Sequence, residues 1–357
     1  MSLPGVLQDS HSRVIRDLRI SITDRCNFNC VYCLPETEGA GNFFKPADAG
    51  ADEPALVSGK PPYPWKPRTQ LLSFEEIAQV ARVAASLGVD KIRVTGGEPL
   101  LRRDVESLIS QLAAIEPIRD LSLTTNGTNF PRLAKRLKEA GLGRVTLSLD
   151  SLDRDNFRKI TGRDGLAEVL ESIRLAKALD LAPVKVNAVI IRGLNDHEIV
   201  PLARFAADEN VILRFIEFMP LDSRQVWRRE HVVPGAEIAE RIQPNFPLTP
   251  LPANNPSETS ARWSLGQGGG EIGIIAPVTQ PFCGNCNRLR LTADGKIRTC
   301  LFSLHEHDLK PSLRDGPGSD AALAARLRQI VPSKESGHRI SKPDFEQPAR
   351  TMSRIGG

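Results

Sequence analysis

The stretch that matters most for the architecture and chemistry of this chain is Leu18-Arg-Ile-Ser-Ile-Thr-Asp-Arg-Cys-Asn-Phe-Asn-Cys-Val-Tyr-Cys33. Its first six residues, Leu18–Thr23, have the composition of a buried strand. The loop that follows spells C-x3-C-x2-C and holds Cys26, Cys30 and Cys33. Three thiolates are one fewer than a four-iron cluster needs for complete ligation by protein. An open metal position is where substrates react, so the stretch predicts a cluster with an open iron after a first strand.

The other three cysteines of the chain form a second group, C-x2-C-x13-C, at Cys283, Cys286 and Cys300. Taken alone, this spacing fits an iron–sulfur cluster and a structural zinc site about equally, because His305 or His307 could complete four zinc ligands. The first group has no neighbouring histidine and no matching pair elsewhere, so zinc fits it poorly. A disulfide framework is not expected for clustered thiols in a chain of this length.

Composition places the chain among ordinary globular proteins. Of its 357 residues 40% are hydrophobic and 25% charged, and the formal net charge is +4. No apolar run is long enough to span a bilayer, and no aromatic or basic stripe indicates nucleic-acid binding. The small positive excess allows a basic pocket for a small anion. Reduced thiols without a targeting segment predict a cytoplasmic protein with neither a membrane nor a nucleic acid as partner.

Near-continuous apolar strands alternate with amphipathic helices, which indicates a parallel sheet covered by helices. The predicted strands are Leu18–Thr23, Lys91–Thr95, Leu121–Thr124, Val145–Leu149, Val184–Ile190 and Ile212–Phe218. Six units are fewer than a complete eight-fold barrel, so we expect an α/β fold with a partial (βα)6 TIM-type barrel, and a flat doubly wound sheet is the alternative. In both, functional groups gather at the carboxyl ends of the strands.

The predicted helix signals are a capping box from Ser73 to Glu76, caps at Asp104 and at Asn195 or Asp196, and a helix over 166–180.

The expected domains are an N-terminal tail (1–12), the barrel (13–243), a C-terminal α+β extension that carries the second cysteine group (244–331), and a C-terminal tail (332–357). Proline-rich residues 36–70 are expected to form a flexible insertion within the barrel, and the tail is expected to be unpacked by default. A hairpin turn is expected at 293–296, and a short helix at 319–331.

The cysteine stretch, with Gly96-Gly-Glu-Pro99 after the second strand, resembles the radical S-adenosylmethionine superfamily. The second cysteine group and the terminal Gly356-Gly357 are similar to the GTP 3′,8-cyclase family, which performs the first step of molybdenum cofactor biosynthesis. The resemblance covers about residues 13–330 and the last few residues. It implies a lyase that holds S-adenosylmethionine and two [4Fe-4S] clusters and converts GTP into (8S)-3′,8-cyclo-7,8-dihydro-GTP.

The family's mechanism implies roles for both clusters and for several partners. A 5′-deoxyadenosyl radical takes hydrogen from C3′ of the ribose, and the carbon radical attacks C8 of the guanine. The second cluster would bind the guanine. An external electron donor, a monomer or homodimer, and delivery of the product to cyclic pyranopterin monophosphate synthase are also implied.

The resemblance also implies site residues. Those carried over for catalysis are Arg19, Arg288, Arg290, Gly356 and Gly357. Those for GTP are Arg19, Arg93, Thr124, Lys185, Arg288, Leu289 and Arg290, with Arg214 as a further candidate. Those for S-adenosylmethionine are Tyr32, Gly97, Glu98, Ser148 and Met219. A radical enzyme that matures a peptide and a non-catalytic carrier of electrons through two clusters are the alternative functions.

Overall fold

The computed structural model describes residues 5–35, 38–44, 65–266, 269–314 and 320–356. The strands are β1 Asp17–Ser21, β2 Lys91–Thr95, β3 Asp120–Thr125, β4 Arg144–Ser148, β5 Lys185–Ile190, β6 Ile212–Glu217, β7 Thr249–Leu251, β8 Ala261–Ser264, β9 Glu271–Ile275, β10 Arg288–Leu291, β11 Lys296–Arg298 and β12 His307–Asp308. The helices are α1 Glu38–Phe43, α2 Phe74–Ser86, α3 Val105–Ala113, α4 Phe130–Glu139, α5 Arg154–Thr161, α6 Leu166–Ala178, α7 Ile199–Glu209, α8 Gly235–Ile242, α9 Lys310–Arg314, α10 Asp320–Ile330 and α11 Met352–Ile355.

Strands β1 to β6 pair in parallel and in chain order, as a partial barrel requires. The order never reverses within this run, so the flat doubly wound alternative is wrong. The C-terminal region continues both edges of the sheet, because β10 pairs in parallel with β1 and β9 pairs in parallel with β6. Antiparallel strands β11 and β12 extend one edge, and β8 and β7 extend the other. The predicted partial barrel with a C-terminal extension is confirmed.

The alternation of side chains along each strand separates the apolar core from a polar barrel interior. In β1, Leu18 and Ile20 are buried in the main hydrophobic cluster, whereas Asp17 and Arg19 line internal cavities. The same alternation recurs in β2, where the side chains of successive residues point to opposite faces. Barrel interiors are normally packed with branched apolar side chains. A polar, cationic interior therefore indicates a binding site.

Of the predicted helix caps, one forms through its side chain and the others do not. Ser73 and Glu76 form the expected capping box of α2. The side chain of Asp104 makes no capping hydrogen bond, since this residue takes a left-handed conformation before α3. A 3-10 turn at 196–198 precedes α7, and Asn195 instead uses its amide to bind the carbonyls of Asp150 and Val189. Asp104 thus stands at the predicted N-cap position of α3 without capping it through its side chain, and the predicted cap at Asn195 or Asp196 is wrong.

The hairpin predicted at 293–296 joins β10 to β11, and α10 matches the short helix expected at 319–331. Among the described residues, no helix combines the length and apolar character needed to cross a membrane.

Two segments expected to be unpacked make specific contacts. At the start of the predicted insertion, the ring of Phe44 lies 6.0 Å from that of Phe218 in a small apolar cluster. Most of the remaining insertion, 36–37 and 45–64, lies outside the described residues. The C-terminal tail is packed as far as Gly356, because Ile340 and Ile355 belong to an apolar cluster with Leu221. The expectation of an unpacked tail is wrong, since its apolar side chains cover the barrel mouth.

Arg350 anchors this tail to the hairpin between β10 and β11. Its guanidinium donates two hydrogen bonds of 2.9 Å to the carboxylate of Asp294 and pairs with Glu306. Hydrogen bonds and the charges of Arg350 lower the pKa of Asp294 below its usual range although burial opposes this. The pair is nearly inaccessible to solvent, with side-chain exposures of 15% and 5%.

We expect Arg350→Met to lower the free energy of unfolding by about 2 kcal/mol, because the buried carboxylate of Asp294 loses two charge-assisted hydrogen bonds and keeps Lys66 and Thr292 as partners. The tail should also become sensitive to protease. Urea unfolding and mass spectrometry of limited digests measure both effects. Arg350→Lys is the matched control and should have a smaller effect, since it keeps the charge without the two-pronged geometry. Wild-type protease resistance in the methionine variant would show that this anchor is unimportant.

Candidate active site

Both cysteine groups face one internal cavity of about 290 Å³ at the carboxyl ends of the barrel strands. We call it the upper cavity. Its walls include all six cysteines, and within the described residues none of them forms a disulfide bond. The first group lies in the loop after β1, and the second lies on the segment that surrounds β10 and β11. The sheet brings the groups together because β10 pairs directly with β1.

The first thiol group is built for metal binding. Burial, together with the charge of Glu98, raises the pKa of Cys26 to about 12. Burial and the nearby Asp150 also raise the pKa of Cys30. Free thiolates are therefore unfavourable at this position, and a bound metal centre would supply the positive charge that holds them deprotonated. Three thiols in one short loop, all lining the same cavity, match the number of ligands of a cluster held by three cysteines.

The Gly-Gly-Glu-Pro turn after β2 holds the cysteine loop in place. The amide of Gly97 donates to the carbonyl of Thr23 at 2.7 Å, and that of Glu98 donates to the carbonyl of Arg25 at 2.7 Å. A Cβ atom on Gly97 would lie 2.3 Å from the Arg25 carbonyl oxygen. Glycine is thus required for the approach of the cysteine-loop backbone.

Glu98 is buried in the cavity wall and joins the ends of β2 and β3. Its oxygens accept hydrogen bonds from the Thr125 hydroxyl (2.7 Å) and from the amides of Asn126 (2.7 Å) and Leu100 (3.0 Å). Burial raises its pKa to about 7 in spite of these donors. A carboxylate offers about four acceptor positions, so Glu98 retains capacity for one further donor.

Tyr32 and Asp150 form a second polar pair beside the first thiol group. The tyrosine hydroxyl donates to Asp150 at 2.7 Å, and the amide of Val189 donates to the other oxygen at 2.8 Å. Burial raises the pKa of Asp150 to about 6. Asp150 was not among the predicted site residues. Its position directly after β4 was the available signal, because acidic residues at strand ends face the site.

The second thiol group has a different electrostatic environment. The Nε atom of Arg288 donates to the sulfur of Cys286 at 3.4 Å. Burial alone would raise the pKa of Cys286, but the charges of Arg288 and Lys334 lower it to about 6. Arg13 ties the loop to the tail by donating to the carbonyls of Cys283 and Ser336. The thiolate form of Cys286 is therefore stabilised by the charges of Arg288 and Lys334.

Neither His305 nor His307 is placed to be the fourth ligand of a zinc ion at the second thiol group. His305 and His307 are absent from the described cavity lining, and the Nε2 atom of His307 lies 3.4 Å from the Ser333 hydroxyl. Within the described part of the chain, no three His, Cys, Asp or Glu side chains converge as ligands of a single ion.

Buried and partly buried arginines line the cavity that both thiol groups face. The cavity walls include Arg19, Arg93, Arg214, Arg288 and Arg290. Burial and mutual repulsion lower the pKa of Arg93 and Arg290 well below the usual value and that of Arg214 to about 9. The Nε atoms of Arg19 and Arg93 find no hydrogen-bond partner in the described structure. Arg93 donates to the hydroxyls of Thr124 and Thr146 through its Nη1 atom, but buried guanidinium nitrogens left without partners indicate a site for an anion.

A second space of about 210 Å³, the lower cavity, lies at the amino-terminal ends of the strands. It shares Arg19, Arg93, Arg214 and Arg288 with the upper cavity, so a continuous cationic path joins the two. The basic side chains found here but not above are Lys91, Arg144 and Lys185. Lys91 and Arg144 were not predicted. Lys91 lies two residues before Arg93 on the same face of β2, so period-two geometry was the available signal.

Comparisons with known proteins now decide the family. A family model of the radical SAM superfamily matches residues 20–206, and a model of molybdenum cofactor synthesis C matches residues 211–340. A GTP 3′,8-cyclase of Mycolicibacterium smegmatis is 43% identical over 99% of this chain and 92% of its own length. The chain belongs to the GTP 3′,8-cyclase family. The relative from Streptomyces coelicolor is 42% identical over 99% of this chain and 96% of its own.

A solved structure of another protein has a fold similar to that of this chain. Streptococcus suis SuiB bound to S-adenosylmethionine superposes with a TM-score of 0.58 at 13% identity. The match covers 96% of this chain and 77% of that one, and it bears on the fold alone. Membership in the superfamily supports S-adenosylmethionine and one iron–sulfur cluster as cofactors, and the first thiol group fits that cluster.

Most residues that the family resemblance implies do line the upper cavity. For the cofactor they are Tyr32, Gly97, Glu98, Ser148 and Met219, and for GTP they are Arg19, Arg93, Thr124, Arg288 and Arg290. Lys185 lies in the lower cavity instead. Leu289 is different, because its side chain is 1% exposed and belongs to the main apolar core. The side chain of Leu289 therefore points away from Arg288 and Arg290, and the contact of this residue with GTP stays a prediction.

The C-terminal end of this family member reaches the barrel. Arg290 donates a hydrogen bond to the carbonyl of Gly356. A Cβ atom on Gly356 would come within 2.7 Å of Thr95 and 3.2 Å of Ser21, and the backbone φ there is +76°. The close approach of Thr95 and Ser21 and the positive φ both require glycine at position 356. Gly357 lies outside the described residues.

Proposed function

We propose that this chain converts GTP into (8S)-3′,8-cyclo-7,8-dihydro-GTP, the first step of molybdenum cofactor biosynthesis, as a radical S-adenosylmethionine enzyme with two [4Fe-4S] clusters. The observation that carries the proposal is that two groups of three cysteines face one cavity whose walls are lined by buried arginines. An electron carrier would have no use for such an anion site between its clusters.

The first thiol group is proposed to hold the cluster that binds S-adenosylmethionine. When bound, this cofactor pair supplies a 5′-deoxyadenosyl radical. Glu98 has an acceptor position left for the amino group, and Tyr32, Ser148 and Met219 line the same wall. Phe28, packed edge-on against Phe157 at 5.9 Å, makes the wall beside the thiols apolar.

The second thiol group is proposed to hold a further cluster that binds the guanine of GTP. The positions of the basic side chains support an orientation of GTP in which the guanine faces the second thiol group. The triphosphate is the most anionic part of GTP, and the lower cavity has basic side chains from the starts of β2, β4 and β5. With the triphosphate there, the base extends upward past Arg288 and Arg290 towards Cys286. The ribose then lies between the two thiol groups, where its C3′ hydrogen can be removed.

Arg290 and the C-terminal glycines are proposed to complete the site around the ribose. The buried guanidinium is held by the Gly356 carbonyl, so its orientation depends on the packed tail. We also propose that an external donor supplies electrons and that the product passes to cyclic pyranopterin monophosphate synthase. A monomer or homodimer is sufficient, since both thiol groups and both cavities belong to one chain.

Lys185 should make GTP binding depend on pH. Burial and the charges of Arg214, Arg144 and Arg93 lower its pKa to about 7. A bound polyphosphate favours the protonated amine, so binding should take up protons and weaken as pH rises above about 7. Calorimetry in buffers of different ionisation enthalpy measures the uptake. Lys185→Arg is the control, because arginine stays charged and should reduce the uptake. Equal uptake in both proteins would contradict this role.

The proposal is tested by anaerobic incubation of the reconstituted protein with GTP, S-adenosylmethionine and a reductant. We expect 5′-deoxyadenosine together with the cyclised nucleotide, and neither when GTP is omitted. Formation of 5′-deoxyadenosine that depends on an added peptide instead would favour a peptide-maturing enzyme. Reduction of both clusters without cleavage of S-adenosylmethionine would favour an electron carrier.

A further inference from the structure

The lower cavity has far more positive than negative charge. Among the described residues, seven basic and three acidic side chains line it, a formal excess of four positive charges when all are ionised. These side chains are largely buried, so solvent screens them less than surface charges. The repulsion that Arg214 and Arg144 exert on Lys185 favours an anionic ligand in this cavity.

The three carboxylates of this cavity are already engaged by basic groups or amides. Asp120 accepts two hydrogen bonds of 2.7 Å from Arg144. Glu258 accepts from the amide of Asn254 at 2.6 Å. Asp17 has Lys91 at 3.7 Å from one oxygen, and only its other oxygen lacks a hydrogen-bond partner among the described residues. A magnesium ion would find one free carboxylate oxygen, surrounded by like charges.

The charge of the substrate depends on its metal. GTP carries about four negative charges near neutral pH, and a bound Mg²⁺ leaves about two. We infer that this chain binds GTP in its metal-free form, with the lysines and arginines of the lower cavity in the place that Mg²⁺ takes in most nucleotide sites. The inference rests on the proposed function. It follows from charge balance, because the metal-free nucleotide neutralises the cavity and the magnesium complex leaves it positive.

Equilibrium dialysis of the holoenzyme with radiolabelled GTP tests the inference directly. We expect the dissociation constant to rise by about tenfold or more when excess Mg²⁺ converts the nucleotide into its complex. The exchange-inert chromium(III) complex of GTP should bind at least as poorly, since it cannot lose its metal. With the clusters oxidised, the electron paramagnetic resonance signal of hydrated Mn²⁺ should increase when enzyme is added to MnGTP.

A variant at Lys185 tests the inference through the ratio of the affinities for metal-free GTP and for MgGTP. Lys185→Met removes one positive charge, so the preference for metal-free GTP over MgGTP should become smaller. Lys138→Met is the matched control, because this exposed lysine bonds the carbonyl of Asp180 on the outside of the barrel. It should leave the ratio unchanged. The ratio is informative even if the first variant binds more weakly overall.

The outcomes separate this inference from the proposed function. Equal or tighter binding of MgGTP, or Mn²⁺ that stays with the bound nucleotide, would overturn metal-free binding and leave the cyclase proposal standing. Loss of that metal preference in Asp17→Asn would then identify Asp17 as the ligand. Failure to bind GTP in either form would overturn both.

Discussion

Replacing Cys283, Cys286 and Cys300 with serine is expected to halve the iron content, from about eight to about four atoms per chain, and to abolish GTP turnover. These thiols line the same cavity as the first group, so their loss removes the proposed guanine site without touching the loop after β1. Iron and sulfide analysis after anaerobic reconstitution gives the stoichiometry, and product analysis gives the turnover.

The same variant should still cleave S-adenosylmethionine slowly without coupling to GTP, because the first thiol group is intact. The matched control is the triple serine variant of the first group, which should also retain about four iron atoms but form no 5′-deoxyadenosine. The second-cluster proposal is wrong if the variant at 283, 286 and 300 keeps all its iron. It is equally wrong if the wild-type group binds zinc.

Gly97→Ala is expected to lower the rate of S-adenosylmethionine cleavage by about a hundredfold or more. The new Cβ atom would lie 2.3 Å from the carbonyl oxygen and 2.6 Å from the carbonyl carbon of Arg25. Both are backbone atoms next to Cys26, so the cysteine loop itself must move. A displacement of about 1 Å of a group at the reacting centre can lower the rate by about a hundredfold.

The measurements for this variant are 5′-deoxyadenosine formation and the iron content of the first site. Gly284→Ala is the matched control, since it lies in the other cysteine loop and its Cβ atom would meet nothing within 4 Å. It should keep near-wild-type iron content and activity. If alanine at 97 is as active as alanine at 284, the close approach of the turn to the cysteine loop does not position the cluster.

Much of the barrel could be predicted because its strands are local patterns. Runs such as Lys91–Thr95 are short, apolar on one face and bounded by glycine, so their bounds agree with β2. The contribution of the C-terminal region to both edges could not be predicted, because pairing of β10 with β1 joins residues that are far apart in the chain. That pairing is what brings the two thiol groups to one cavity.

The parts of the site that the sequence analysis missed depend on three-dimensional neighbours. Arg144 resembles an ordinary surface arginine at the start of a strand, and only the three-dimensional fold places it beside Lys91 and Lys185 in the lower cavity. Leu289 stays a prediction, because alternation along β10 sends the side chains of Arg288 and Arg290 to the cavity and that of Leu289 to the apolar core.

The C-terminal tail was misjudged for a related reason. Its composition is polar and basic, which is typical of an unpacked end. Its contacts are specific pairs such as Arg350 with Asp294, and composition does not reveal such pairs.

The most direct test of the account is the fate of the hydrogen at C3′ of GTP. If the ribose lies between the two thiol groups, anaerobic turnover with GTP deuterated at C3′ should place one deuterium in each 5′-deoxyadenosine, as mass spectrometry would show. Formation of unlabelled 5′-deoxyadenosine at an undiminished rate would contradict the account, because the nucleotide would then not lie where the cavity and its cations are proposed to hold it.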